Sequence, residues 1–207
     1  MSSVNIGVLI SGGGTNLQSI IDNVDTGYIN GSIKVVISNK ENAYGLVRAE
    51  KKGIDSIFID KSKYQSTEDM DKAIIKELQD RDVELVILAG YINILSEGFI
   101  EYYQNRIINI HPSLIPSFCG KGFYGIRVHR AVVDYGVKVT GATVHFVDKG
   151  TDTGAIILQD TAYISPNDTP EDVQQKVLKI EHRLLPKAVK LYCDGKIKLD
   201  GRKVILE

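Results

Sequence analysis

The segment RIINIHPSLIPSF, Arg106–Phe118, sets a carboxamide and an imidazole two positions apart at the end of an apolar strand. Side chains alternate along a strand, so Asn109 and His111 share one face while Ile108 and Ile110 take the other. Pro112 holds His111 in extended geometry and stops the strand there. A carboxamide N–H beside an imidazolium N–H can stabilise an oxyanion. The plainer alternative is that both side chains only satisfy loop backbone. An imidazolium near neutral pH requires an acidic partner. The stretch VDKGTDTGAIILQ, Val147–Gln159, offers Asp148 and Asp152, and the sequence does not choose between them. His111, His145, Asp148 and Asp152 have no recognised metal-ligand spacing, so no metal is expected. Cys119 lies in the glycine-rich stretch SFCGKGFYG with no assured base, which argues against a nucleophile. His129 and His182 fall in helical segments and read as surface or packing residues.

A second candidate is SGGGTN, Ser11–Asn16, between the first strand and the first helix. In an α/β sheet this turn lies at the carboxyl edge, where ligands bind. Glycines let backbone amides approach an anion, and a helix N-terminus favours negative charge. A dinucleotide fingerprint would require glycine where this chain has Leu17, and the nucleoside-triphosphate loop requires Gly-Lys-Ser/Thr, which is absent. The loop reads as a seat for a single phosphate, held by the amides of Gly13, Gly14, Thr15 and Asn16 and by the Thr15 hydroxyl. The competing reading is a tight turn without a ligand.

Both candidates need a sheet to position them. Apolar, β-branched runs at Val4–Ile10, Ile33–Ser38, Asp55–Asp60, Val83–Gly90 and Arg106–His111 alternate with helical patterns. The stretch Ser66–Arg81 opens on cap-type residues and places Met70, Ile74, Ile75 and Leu78 at helical spacing. This order predicts an α/β fold: a doubly wound, mostly parallel, Rossmann-like sheet. In the C-terminal third, VTGATVHFV and GAIILQDTAYI follow one another without a helix between them, which predicts antiparallel additions. Thr169–Gly195 reads as a long helix with Thr169 as N-cap, Pro170 at the first position and Gly195 at the end. Pro186 is expected to kink it. IKLDGRKVIL reads as a hairpin with an Asp-Gly turn. No stretch has linker composition, so residues 1–207 are expected to form a single domain.

Composition narrows the partners. A net charge of −1, from 25 basic and 26 acidic residues, gives no general attraction to nucleic acid or an anionic membrane. Any anion must therefore be held by a local site. The two cysteines, Cys119 and Cys193, are far apart and form neither a CxxC pair nor metal spacing. They fit a reducing, cytoplasmic setting. The opening MSSVNIGVLISGGG has no basic region, and its apolar run is too short for a signal peptide or a membrane span.

The segments VLISGGGTNLQSII, VILAGYINILS, INIHPSLIPSF, GATVHFVDKGTDTGAIILQ and KIEHRLLP together resemble the glycinamide ribonucleotide formyltransferases, across essentially the whole chain. NIHPSLIP alone is shared with the wider folate-dependent formyltransferase superfamily. SGGGTN and KIEH point to the ribonucleotide branch. The resemblance implies transfer of a formyl group from 10-formyltetrahydrofolate, a co-substrate, to the primary amine of glycinamide ribonucleotide in purine synthesis, without a metal. It implies that Asn109, His111 and protonation-assisting Asp152 are catalytic, with His111 protonated and His145 in support. Gly13, Gly14, Thr15 and Asn16 would hold the phosphate, and Glu181 would grip the rest of that substrate. Ile92, Asn93, Ile94 and Leu95, with Asp148, Lys149, Gly150 and Thr151, would contact the folate. Many members carry a basic residue where this chain has Asn93 and another where it has Thr67, both bearing on anion contacts; Lys121 is placed to compensate.

The partners so implied are the two small substrates, with no nucleic acid and no membrane, for a monomer or weak homodimer. Two sibling activities fit less well. Formylation of methionyl-tRNA calls for a basic C-terminal domain, and this chain ends soon after KIKLDGRKVILE. Hydrolysis of formyltetrahydrofolate goes with an added N-terminal regulatory domain, and here the first strand begins near Val4. A phosphate-binding regulatory module without chemistry is the alternative of a different class.

Overall fold

Strands that are apolar on both faces form a stable sheet only when helices cover both sides. The computed structural model describes residues 3–207 and has this architecture. In chain order the elements are β1 (Val4–Ile10), α1 (Thr15–Asp25), β2 (Gly31–Ser38), α2 (Tyr44–Lys51), β3 (Asp55–Phe58), α3 (Thr67–Gln79), β4 (Leu85–Leu88) and α4 (Glu97–Tyr102). There follow β5 (Ile107–His111), α5 (Ile126–Tyr135), β6 (Val139–Phe146), β7 (Ile156–Tyr163), α6 (Pro170–Cys193), β8 (Ile197–Asp200) and β9 (Lys203–Leu206).

The main sheet has the order β3-β2-β1-β4-β5-β6-β7. It is parallel from β3 to β5. β6 then pairs antiparallel to β5, and β7 antiparallel to β6. Two apolar cores flank it. Ile6, Val8, Ile108 and Ile110 pack on one side with Leu17 and Ile20 of α1 and Val177, Leu184 and Leu185 of α6. Leu9, Val35, Val86 and Ile107 pack on the other with Met70, Ile74 and Leu78 of α3 and Phe99 of α4. Alternation along β5 therefore sends Ile108 and Ile110 to the α6 side and puts Asn109 and His111 on the α3–α4 side, as the spacing predicts.

The chain runs outward from β1 in both directions, to β2 and to β4, so the loops after β1 and β4 diverge and leave a crevice at the carboxyl edge. One hydrogen bond joins those loops across the crevice: Ile92 N–H donates to Ser11 Oγ at 3.0 Å.

α6 opens with a complete capping box. The Thr169 hydroxyl accepts from Asp172 N–H, and the Asp172 carboxylate accepts from Thr169 N–H. The helix continues unbroken through the buried Pro186, and Gly195, at φ +67°, follows its end. The closing hairpin differs from expectation by one position. Asp200 pairs with Lys203, so the two turn residues are Gly201 and Arg202, with Gly201 at φ +56°. The strand expected over Val83–Gly90 is hydrogen-bonded as a strand only over Leu85–Leu88. Among the described residues, no helix is long and apolar enough to cross a membrane.

Candidate active site

β5 ends at His111 because Pro112 removes the next donor. Its last residues face β6, with Asn109 opposite His145 and His111 opposite Thr143. The β6–β7 loop folds back over this edge and brings Asp152 to both imidazoles. His111 Nδ1 lies 3.5 Å from Asp152 Oδ2, and His145 Nε2 lies 3.7 Å from Asp152 Oδ1. Asp148, the other candidate acid, is used locally: it accepts from Gly150 N–H at 3.1 Å and from the Thr153 hydroxyl at 2.5 Å, which shapes the loop. Asp152 itself sits in the left-handed region at φ +58°.

The hydrogen bonds fix the imidazole roles. His145 Nδ1–H donates a hydrogen bond to the Phe146 carbonyl at 2.8 Å, which leaves Nε2 to accept from Asn109 Nδ2 at 3.1 Å. One Asn109 N–H is thereby used, and the second has no partner among the described residues. His111 Nε2 donates to the Phe118 carbonyl at 3.0 Å. The loop that begins at Ser117 reaches the acid too, since Gly120 N–H donates to Asp152 Oδ2 at 2.8 Å.

Burial sets the charges. His111 is 4% exposed. That burial lowers its pKa below the ordinary histidine value, and it outweighs the Asp152 carboxylate and the Phe118 carbonyl, which pull the other way. Burial thus disfavours the imidazolium that the resemblance implies, while Asp152 and the Phe118 carbonyl favour it. Burial raises the pKa of Asp152, but the two imidazoles and the Gly120 amide more than offset it, so the carboxyl stays ionised. Glu181 is buried in α6 and its pKa is raised by that burial; the Asn16 amide, donating to its Oε2 at 2.6 Å, opposes the rise.

These groups line one cleft of about 750 Å³. Thr15, Asn16 and Glu181 stand on its wall together with Asn109, His111 and Asp152. So do Ile92, Asn93, Ile94, Leu95, Asp148, Lys149, Gly150 and Thr151. Gly13 and Gly14, which precede Thr15 in the loop, are not on its wall. Lys149 is tied to α4, 2.6 Å from Glu101 and 3.0 Å from Glu97. Thr67 is the first residue of α3 and is not on the cleft wall. Lys121 is present there. Among the described residues, no group of three or more His, Cys, Asp or Glu side chains could hold a metal ion.

Some wall residues escaped the sequence. Gln174 and Leu178 line the cleft two turns and one turn before Glu181 on α6, a helical spacing that could have revealed them. His129, buried in α5, also lines it, and its Nδ1 has no hydrogen-bond partner among the described residues. Nothing in its sequence neighbourhood places it beside His111.

A family model for formyl transferase matches residues 4–189. The chain belongs to the formyl transferase family. Its relatives include the phosphoribosylglycinamide formyltransferase of Haemophilus influenzae, 39% identical over 98% of this chain and 93% of that protein. The trifunctional purine biosynthetic protein adenosine-3 of Gallus gallus is 40% identical over 96% of this chain, which spans only 19% of that longer protein. Among solved structures, glycinamide ribonucleotide transformylase 1 from Symbiobacterium toebii superposes with a TM-score of 0.93 at 43% identity, covering 98% of this chain and 93% of that one.

Proposed function

We propose that this chain transfers the formyl group of 10-formyltetrahydrofolate to the primary amine of glycinamide ribonucleotide, a step of purine biosynthesis, and that its residues act as one domain. The observation that carries the reading is the continuity of the cleft. Thr15, Asn16 and Glu181, the segments Ile92–Leu95 and Asp148–Thr151, and Asn109, His111 and Asp152 all line this one cavity.

The folate lies along Ile92–Leu95, where apolar walls and the buried, unpartnered amide of Asn93 suit a flat, polar-edged ring. The ribonucleotide places its phosphate at the start of α1, where orphan amides and the helix dipole favour an anion. Glu181 accepts hydrogen bonds from the rest of that substrate. The amine attacks the formyl carbon, and negative charge grows on the carbonyl oxygen. The second N–H of Asn109 donates to it. His111 reaches the same oxygen by releasing the Phe118 carbonyl. The growing charge then raises the His111 pKa, so the ring gains its proton when the proton is useful. Ionised Asp152 supports the imidazolium and receives the proton shed by the amine, directly or through water; the tetrahedral intermediate then collapses, the bond from the formyl carbon to N10 breaks, and that proton passes to the departing N10. Oxyanion stabilisation therefore does not require a charged histidine in the resting site.

Small-molecule partners and a cytoplasmic setting follow from this reading. The deciding experiment is a folate difference-absorbance assay in which glycinamide ribonucleotide is the only acceptor varied. Saturable, acceptor-dependent loss of the formyl-folate signal is expected. Acceptor-independent loss would mean a hydrolase, and no loss would mean a binding module.

A further inference from the structure

The glycine loop is held from behind by α2. The Gly12 carbonyl accepts from Gly45 N–H at 3.0 Å, and the Gly13 carbonyl accepts from Arg48 Nε at 2.8 Å. A trans peptide points its C=O and the following N–H in opposite directions. With both carbonyls turned to α2, the N–H groups of Gly13 and Gly14 must turn away from it, to the open side of the loop. Gly14, at φ +69°, then leads into α1, whose first turn has no side-chain cap. Successive N–H groups on one side of such a turn form a concave donor for an anion.

Arg48 is itself held in place. Its Nη1 donates to Gln18 Oε1 at 3.0 Å, and its guanidinium lies 5.0 Å from the centre of the Tyr44 ring. One planar group thus bridges the loop, the first turn of α1 and α2. The loop can come so close only because both contact positions are glycine: a Cβ on Gly14 would stand 2.7 Å from Gly45 Cα.

We propose that Arg48 is the positioning residue for phosphate recognition. It acts through the Gly13–Gly14 peptide, whose plane it fixes, and adds a positive charge behind the loop; it is not part of the cleft wall. The inference rests on the reading of this loop as the phosphate seat. Lysine would keep the charge but lose the flat fork that serves Gly13 and Gln18 together.

The test compares wild type, Arg48→Gln and Arg48→Lys with the phosphorylated acceptor and with its dephosphorylated nucleoside, and measures inhibition by inorganic phosphate. For Arg48→Gln, KM for the phosphorylated acceptor should rise about tenfold, the loss of roughly one hydrogen bond to a charged group. Its turnover should fall much less, and phosphate should inhibit correspondingly more weakly. KM for the dephosphorylated acceptor should not move, and Arg48→Lys should recover only part of the loss. A folded Arg48→Gln that discriminates between the acceptors as well as wild type overturns the inference but leaves the phosphate seat standing. Full recovery in Arg48→Lys shows that charge alone acts and overturns the positioning role. A wild type that does not discriminate overturns both the seat and the inference. Should Arg48→Gln fail to fold, Arg48→Lys decides: wild-type discrimination in it refutes the proposal.

Discussion

His111 Nδ1 and Asp152 Oδ2 stand 3.5 Å apart, while the loop after Ser117 holds both residues, through the Phe118 carbonyl on His111 and the Gly120 amide on Asp152. Both ring nitrogens therefore face oxygen acceptors, and only the protonated ring can satisfy the two at once. Burial opposes that proton. Burial and the two acceptors pull on the ring's proton in opposite directions, and the substrate's oxygen can add to the pull of the acceptors.

Asp152→Asn removes the carboxylate that pulls the His111 pKa upward. The His111 titration should move further below the ordinary histidine value, and turnover should fall by roughly 10²-fold or more, the usual scale of acid–base assistance. An NMR titration of His111 in both proteins checks the direction; an unmoved or higher pKa counts against the coupling. His111→Ala should cost roughly 10²–10³ in turnover, as for one lost oxyanion donor.

Folding stability should fall as acid is added, partly through His129. Burial in α5, helped by nearby His111, holds its pKa at about 4. An unfolded histidine titrates near 6.5. As pH falls from about 6.5 to 4, the unfolded chain binds a proton that the folded chain refuses, so stability declines over that window and is fully present above it. Urea midpoints at pH 7.5 and pH 5 should therefore differ more in wild type than in His129→Asn if the asparagine variant folds. Equal differences would remove His129 from the acid limb.

Asn16→Leu removes the one side-chain hydrogen bond to the Glu181 carboxyl among the described residues and leaves that buried group unpaired. A loss of about 1–3 kcal/mol in denaturant unfolding is expected, with a higher KM for the acceptor and little change for the folate. A variant as stable as wild type would show that Glu181 is satisfied by other means.

Gly14→Val is a poor probe of phosphate binding, because its Cβ would meet the backbone of Gly45 and its φ is left-handed. It should lower the melting temperature and damage both substrate sites. Thr15→Ala is the clean test. It should weaken the phosphorylated acceptor by about 1.5–3 kcal/mol and leave the dephosphorylated one unaffected. Equal damage to both acceptors would assign the loop to turn formation alone.

What the sequence reveals follows from range. Alternation put Asn109 and His111 on one face, and cap residues placed the start of α6, because both signals act between near neighbours. The choice of Asp152 over Asp148 depends on how a loop folds back over β5, which no spacing within the loop records. The pairing of Asn109 with His145 arises from strand register between residues far apart in sequence. Arg48 was legible only as part of a helix, since its partner Gly13 lies on another element. The opposing pulls on the His111 proton were hidden for a related reason: burial is a property of the whole fold, and it lowers the pKa against the pull of the acidic neighbour.

The backbone of Asp152, at φ +58°, has a consequence for variation at that position. Glycine and asparagine both tolerate this geometry, and neither buries a charge. A library selected only for resistance to heat should therefore drift from aspartate at 152, while one selected for turnover should keep it. Durability and speed would then be opposed at a single residue, and that opposition would identify a carboxylate kept for chemistry at the expense of the fold.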